Sequence, residues 1–302
     1  SFVMDGDDII AGGYSKNNTL VVAGFWKISG GATSWTELDN PSGNYAACVM
    51  TITVDNGTVY AGGYRTDSTG NYLAGYWTTT AGGTTSWTAL TDSVLSDTAF
   101  VRGIAVSEDG DVYAAGYYFD GSNNAIACCW KNNSLNRAEF TNDYGSFGAF
   151  GFGIATDGSD VYVGGGCVTN ADSHENAGYW KITTEDTTWT EHAFTNDGPW
   201  AEINVMIING SDIYAGGFSS DATPVTIAGY WKNGTWQECA NSYSSDEAYV
   251  KGMAVYGSDV YAAGYCKNAS IYTGGYWKNG AWNELTNSYG AYISTVVGIV
   301  VK

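Results

Sequence analysis

A short segment of the type Ala-Gly-Gly-Tyr returns through the whole chain, with its last residue at Tyr14, Tyr64, Tyr117, Gly166, Phe218 and Tyr265. The spacing of 47–53 residues leaves room for only a few short elements per copy. A period of this length belongs to solenoids and to radial arrays of small sheets. Each copy reads as four short strands. An apolar one (Gly103–Val106, Gly252–Val255) is followed by a strand of the form Asp-Val-Tyr-Ala-Ala-Gly-Tyr, then Ala-Gly-Tyr-Trp-Lys, then a short strand around a second Trp. No stretch carries a helical period, so the class is all-β.

Four antiparallel strands repeated six times predict a six-bladed β-propeller, with residues 1–302 as a single domain. Small residues in the second strand (Ala114 to Gly116, Ala262 to Gly264) let neighbouring blades approach near the axis, and the following aromatic fills the widening gap further out. Of twelve Trp residues, Trp26, Trp77, Trp130, Trp180, Trp231 and Trp277 mark the third strands, and Trp35, Trp87, Trp189, Trp236 and Trp282 the fourth. Such a recurrent stripe is packing between blades, because each Trp buries a large apolar surface. Trp200 alone falls outside the repeat. Asn233-Gly234 and Asn279-Gly280, between two strands, are the signature of a two-residue type I′ hairpin.

Asp-rich turns join the first and second strands: Asp5-Gly6-Asp7-Asp8, Glu108-Asp109-Gly110-Asp111, Asp157-Gly158-Ser159-Asp160, Asn209-Gly210-Ser211-Asp212 and Gly257-Ser258-Asp259. Calcium would suit such oxygen-rich loops. Tight turns use the same residues, and no loop has the spacing of a dedicated calcium loop. No cofactor is therefore expected, with calcium at these turns as the alternative. Six cysteines (Cys48, Cys128, Cys129, Cys167, Cys239, Cys266) show no metal-type spacing and read as small buried hydrophobes, with one or two disulfides open in an oxidising compartment.

The Gly-Gly strand ends followed by Trp and Leu resemble the kelch-type propeller repeat. The run Asp-Val-Tyr-Ala-Ala-Gly-Tyr, Gly-Tyr-Trp-Lys-Asn-Gly and Trp-x-Glu-Leu is similar to repeats of poorly characterised secreted or lipid-anchored bacterial propeller proteins. That resemblance covers the whole chain and implies a fold and an extracellular or cell-surface setting, not an activity. Thr184 to Trp189 resembles the Asp-box of sialidase propellers but lacks its central Gly and is not repeated, so no catalytic role is carried over.

Both ends of the sequence offer the same inner strand. Gly298, Ile299, Val300 and Val301 align on Gly252–Val255, and so do Ser1, Phe2, Val3 and Met4. The expectation is that the C-terminal copy closes its own ring and displaces residues 1–4. Donation of one copy to a neighbouring molecule, giving a head-to-tail polymer, is the alternative.

Net charge is −19, from 31 acidic against 12 basic residues, which argues against nucleic acid as a partner. No apolar run is long enough to span a membrane. His174 and His192 are the only histidines, and neither is placed by sequence beside a nucleophile. Carboxylates are plentiful, but nothing singles out a glycosidase pair. Opposite the Asp-rich turns, the loops carry Tyr45, Tyr144, Phe147, Phe150, Trp200, Tyr243, Tyr289 and Tyr292, and the channel mouth is expected to hold Met50, Arg102, Phe152, Asn204, Lys251 and Val297. Exposed aromatics beside polar groups suit sugar stacking or protein contact. The candidate binding residues are accordingly Trp200, Tyr45, Tyr144, Phe147, His174, Tyr243, Tyr289, Arg102 and Lys251. The leading expectation is a non-enzymatic extracellular protein with a structural role, assembling with itself. A module that binds an extracellular glycan or protein comes second, and a hydrolase or lyase third. Six N-x-S/T sequons (Asn17, Asn56, Asn132, Asn209, Asn233, Asn268) add glycosylation only in a host that performs it.

Overall fold

A computed structural model describes every residue outside 18–19, 39–45, 91–97, 134–136, 141–147, 170–173, 185, 193–196, 224, 242, 244–246, 269–270 and 286–293. The described chain is all-β and divides into two compact units, Ser1–Thr141 with Gly148–Val161, and chiefly Tyr162–Lys302. No helix is long and apolar enough to cross a membrane.

The first unit holds three separate four-stranded antiparallel blades in sequence order. These are β1 to β4 (Phe2–Asp5, Asp8–Asn17, Leu20–Ser29, Ala32–Glu37), β5 to β8 (Ala47–Asp55, Thr58–Thr66, Tyr72–Thr79, Thr85–Ala89) and β9 to β12 (Ala99–Val106, Val112–Phe119, Ala125–Lys131, Arg137–Glu139). The inner strand of each blade packs on the face of the one before: β5 on β2 and β3, β9 on β5 to β7, and β13 (Ala149–Asp157) on β9 to β11. That face-to-face succession is the propeller arrangement.

In the second unit, β14 to β20 (Asp160–Val168, Glu175–Ile182, Thr187–Glu191, Asp197–Asn209, Asp212–Asp221, Thr226–Lys232, Thr235–Glu238) form one continuous sheet in the order β14-β15-β17-β18-β19-β20, with β16 on β15. A fourth separate blade follows, β21 to β24 (Ala248–Tyr256, Asp259–Asn268, Ile271–Lys278, Ala281–Glu284), with β21 packed on β17, β18 and β19. Four separate blades are seen where six were expected. The fourth and fifth repeats are merged because β15 and β17 run parallel for one step and pair Glu175 with Trp200.

The repeat residues do the packing foreseen for them. Third- and fourth-strand tryptophans meet in pairs, with ring centroids 4.3 Å apart for Trp77–Trp87 and 4.6 Å for Trp277–Trp282. The third-strand Gly lies beneath the second Trp of each pair; a Cβ at Gly75 would stand 2.2 Å from the Trp87 ring. Repeat three has no second Trp, and the Arg137 guanidinium lies 3.7 Å from the centre of the Tyr118 ring instead. Asn233-Gly234 and Asn279-Gly280 have positive φ at both residues, as a type I′ turn requires.

The carboxylates of the Asp-rich turns are engaged by the protein itself. Lys27, Lys131, Lys232 and Lys278 each sit 2.7 Å from Asp8, Asp111, Asp212 and Asp259, and these ion pairs hold the four carboxyls below the ordinary range. Asn132, Asn233 and Asn279 complete the clasp, donating Nδ2 to the same Asp and accepting the first N–H of the second strand on Oδ1. No group of three or more metal-ligating side chains occurs among the described residues, so the calcium alternative gains no support there. All six cysteines are buried.

The termini depart from expectation. Phe2–Asp5 are not displaced: they pair with β2 as the inner strand of the first blade, Phe2 facing Ala11, and the Ser1 carbonyl accepts the Gly12 N–H at 2.9 Å. Residues 294–302 form no strand. Ser294 bonds to Tyr272 and Gly274 of β23, and Gly298 lies against Gly252 so closely that a Cβ there would be 2.6 Å from its Cα. Ile299, Val300 and Val301 are half-buried. The inner-strand place in the first blade is filled by the nearer segment, joined to β2 by a two-residue turn, which closes at less entropic cost than a remote one.

Candidate functional site

In both units the aromatic at the end of the second strand meets an aromatic on an inner strand. Tyr64 packs edge-on against Phe100 (5.4 Å), Phe100 against Tyr117 (5.4 Å) and Tyr117 against Phe150 (5.0 Å). In the second unit Phe218 packs on Tyr249 and Tyr249 on Tyr265, both at 5.1 Å. Three positions of that pattern are different, Cys48 of β5 at the inner-strand position being one. Gly166 stands where the second-strand aromatic belongs, and Glu202 on β17 stands where Phe100, Phe150 and Tyr249 stand in their repeats.

The space left at Gly166 is taken by Glu175 of β15. A Cβ at Gly166 would be 2.3 Å from its Oε1 and 3.0 Å from its Cδ, so the carboxyl occupies the volume of the missing ring. The group is half-buried, which disfavours its charged form, and the nearby Glu202 carboxylate disfavours it further. Together they push Glu175 up to about 8, against a partial offset from Lys251. Lys251 Nζ donates to Asn204 Oδ1 at 2.9 Å and lies 5.6 Å from the centre of the Tyr249 ring. Asn204 Nδ2 is enclosed without a hydrogen-bond partner. Burial, then the neighbouring Tyr249, Tyr272 and Glu202, push the Tyr265 phenol up to about 12.

Trp200 is 42% exposed and is aligned with Glu175 by the parallel step between β15 and β17. The β17–β18 register shifts between Asp197 and Ala201, and the Trp200 N–H donates to Ser220 Oγ at 2.8 Å rather than to the ladder. Such an irregularity re-aims a side chain at a strand end. The result is an exposed indole, two neighbouring carboxyl groups and an ammonium group contributed by β15, β17 and β21.

Of the residues expected from sequence, Trp200 and Lys251 belong to this site, and His174 immediately precedes Glu175, its carbonyl accepting the Thr169 N–H at 2.7 Å. Arg102 is in the first unit, 5.6 Å from the centre of the Phe152 ring. Tyr243 is half-buried against the core that includes β21 to β23, and its hydroxyl donates to Glu284 of the outer strand β24. Phe150 is inside the aromatic layer rather than on a loop face. Tyr45, Tyr144, Phe147, Tyr289 and Tyr292 lie outside the described residues. Sequence reasoning missed Glu175 and Glu202. The available signal was Gly166, the single glycine in a column of aromatics.

No family model matches the chain, and no curated protein matches it. The kelch resemblance therefore rests on the quoted residues alone. Solved structures with similar folds include a mutant of Trypanosoma rangeli sialidase displaying trans-sialidase activity (10% identity, TM-score 0.56), aligned over 92% of this chain and 53% of that one. This chain thus spans about half of the sialidase. A polysaccharide lyase of family PL25, an ulvan lyase bound to a GlcA–Rha3S saccharide, aligns at 7% identity and TM-score 0.56 over 94% and 81% of the two chains. An acylaminoacyl peptidase of Pyrococcus horikoshii aligns at 9% identity and TM-score 0.54 over 95% and 46%. At such identities the likeness is one of fold.

Proposed function

We propose that this protein is a propeller that binds an extracellular glycan on its second unit, with Trp200 as the stacking surface and Glu175, Glu202 and Lys251 as the polar contacts. The observation that carries it is the alignment of the one off-repeat tryptophan, exposed at 42%, with a carboxyl that fills the place of a deleted aromatic ring. A sugar ring offers an apolar face to an indole and hydroxyls to carboxyl and ammonium groups, which is the complement of this surface. That some proteins of similar fold act on saccharides is consistent with the reading and adds only to its prior. It departs from the structural, self-assembling role expected from sequence, since both terminal segments are engaged within their own units.

The test is a screen of the purified chain and Trp200→Ala against soluble polysaccharides by affinity electrophoresis, followed by calorimetry. Binding that falls about thirtyfold in the variant, equivalent to about 2 kcal/mol, is expected for loss of a central aromatic contact. Equal affinity in both proteins would overturn the placement of the site.

A further inference from the structure

We propose that Ser220 is the positioning residue of the site: its hydroxyl, with the backbone of Gly198 pressed against it, holds Trp200 in the pose that meets the ligand. The inference rests on the glycan reading and names what the aim of the indole depends on. In the second, third and sixth repeats the residue just before the inner strand is Ala46, Thr98 or Glu247. Its carbonyl accepts an N–H from the end of the second strand, that of Thr66, Phe119 or Lys267, at 2.7–3.0 Å. In the fifth repeat Trp200 holds that place, and its own N–H is taken by a side chain, Ser220 Oγ at 2.8 Å.

Ser220 is wholly enclosed, and its counterparts are used differently. Phe119 has no polar side-chain atom, Lys267 pairs with Glu247 at 2.8 Å, and the Thr66 hydroxyl donates to the Ala46 carbonyl at 3.2 Å. Gly198 supplies the other half of the device. A Cβ there would stand 2.2 Å from the Ser220 carbonyl oxygen and 2.4 Å from that of Asp221, so only glycine lets the chain lie so close to β18. Pro199 follows with its φ fixed by the ring and no N–H to satisfy. The register shift between Asp197 and Ala201 falls on these same residues, and it leaves the indole 42% exposed.

A ring that is already held in its bound pose gives up less freedom when a sugar stacks on it. Without the Ser220 hydroxyl the Trp200 N–H loses its acceptor, and residues 198–200 are free to take other registers on β18. The indole then keeps the productive pose for only part of the time, and affinity falls by that fraction. An indole in place a tenth of the time binds about tenfold more weakly. Ser220 acts through Trp200 and needs no contact with the ligand.

The experiment uses the full chain labelled with 5-fluorotryptophan, alongside Ser220→Ala, Ser220→Thr and Trp200→Phe, each checked for fold by circular dichroism. Of the twelve fluorine resonances, the one missing from Trp200→Phe belongs to residue 200. Xylan, mixed-linkage β-glucan, galactan, pectate and ulvan serve as binding probes in affinity electrophoresis. In Ser220→Ala the residue-200 resonance should move toward that of free 5-fluorotryptophan while the other eleven stay, and affinity for the polysaccharide that binds should fall about tenfold. Ser220→Thr keeps the hydroxyl, as the second repeat does at Thr66, and should restore both. A residue-200 resonance that stays in place in Ser220→Ala, or that moves only together with the rest, overturns the proposal. So does a moved resonance with unchanged affinity. Absence of binding to every probe counts against the glycan reading, while the resonance still decides whether Ser220 sets the indole.

Discussion

Replacing Glu175 by Gln should make the fold's stability less dependent on pH, by an amount set by the site's own geometry. The carboxyl titrates near its ordinary value of 4.5 in the unfolded chain and at about 8 in the fold, because it is half-buried and faces Glu202. Its folded-state pKa is raised, so between 4.5 and 8 the folded protein holds a proton that the unfolded chain has lost. Stability from this group is then highest at low pH and falls as pH rises. At 1.36 kcal/mol per decade, the loss relative to pH 4.5 reaches about 3 kcal/mol by pH 7 and levels off at about 5 kcal/mol above pH 8. Glutamine has the shape of the protonated acid and no titration, so E175Q lacks this slope. Thermal unfolding of both proteins from pH 5 to 9 at fixed ionic strength reads the slope of the coupled Glu175–Glu202 pair, since groups away from it cancel in the difference. The variant's melting temperature should gain on the natural protein by on the order of 5 °C between pH 5 and pH 7. A difference that stays flat across this range would show that Glu175 ionises normally, and the reasoning from its recess would fail.

Gly166→Ala places a methyl group 2.3 Å from Glu175 Oε1, so the carboxyl must leave its recess. Because the obstacle is the end of a flexible side chain, calorimetry should show a change in stability within about 2 kcal/mol but loss of glycan binding and of the pH slope. His192 is 4% exposed, stacked on Trp231, and burial lowers it to about 4; stability it lends above pH 6.5 is lost as pH falls through 4. His192→Leu, the residue at positions 38 and 90, should by urea unfolding gain about 3 kcal/mol on the natural protein between pH 7 and pH 4. Asn279→Ala removes two hydrogen bonds of a clasp and leaves Ala at φ 50°, so unfolding should show a loss of about 2 kcal/mol, smaller for Asn279→Gly.

Most of the strand framework was legible because each repeat states its own chemistry. The Asn-Gly turns with both φ positive, the paired tryptophans and the small residues under them follow from local pattern, and six copies reinforce it. The merging of the fourth and fifth repeats was hidden, since one parallel step between Glu175 and Trp200 depends on a shifted register at Gly198 and Pro199 that no pattern in the repeat encodes. The tie of the Tyr243 hydroxyl to Glu284 was not legible, because it joins a loop to an outer strand 41 residues further on. The acid pair escaped notice because it joins residues on different strands of different repeats, among 31 acidic residues with no mark of their own.

What separates Glu175 from those others is the layer it enters. Asp8, Asp111, Asp212 and Asp259 on the Asp-rich turns are held in the charged form because each meets a third-strand lysine at 2.7 Å. Glu175 has replaced a ring in a layer where Phe218, Tyr249 and Tyr265 touch one another, and a second carboxylate shares the space. An apolar surround raises the cost of a charge, and a like charge raises it again, so the proton stays. A repeat that needed only packing would have kept an aromatic at 166, as the other five do. The departure at Gly166, the acid that fills it and the exposed Trp200 aligned with it occur in two successive repeats, and each is a loss for packing alone. Their coincidence at one place is explained by a ligand that meets all three.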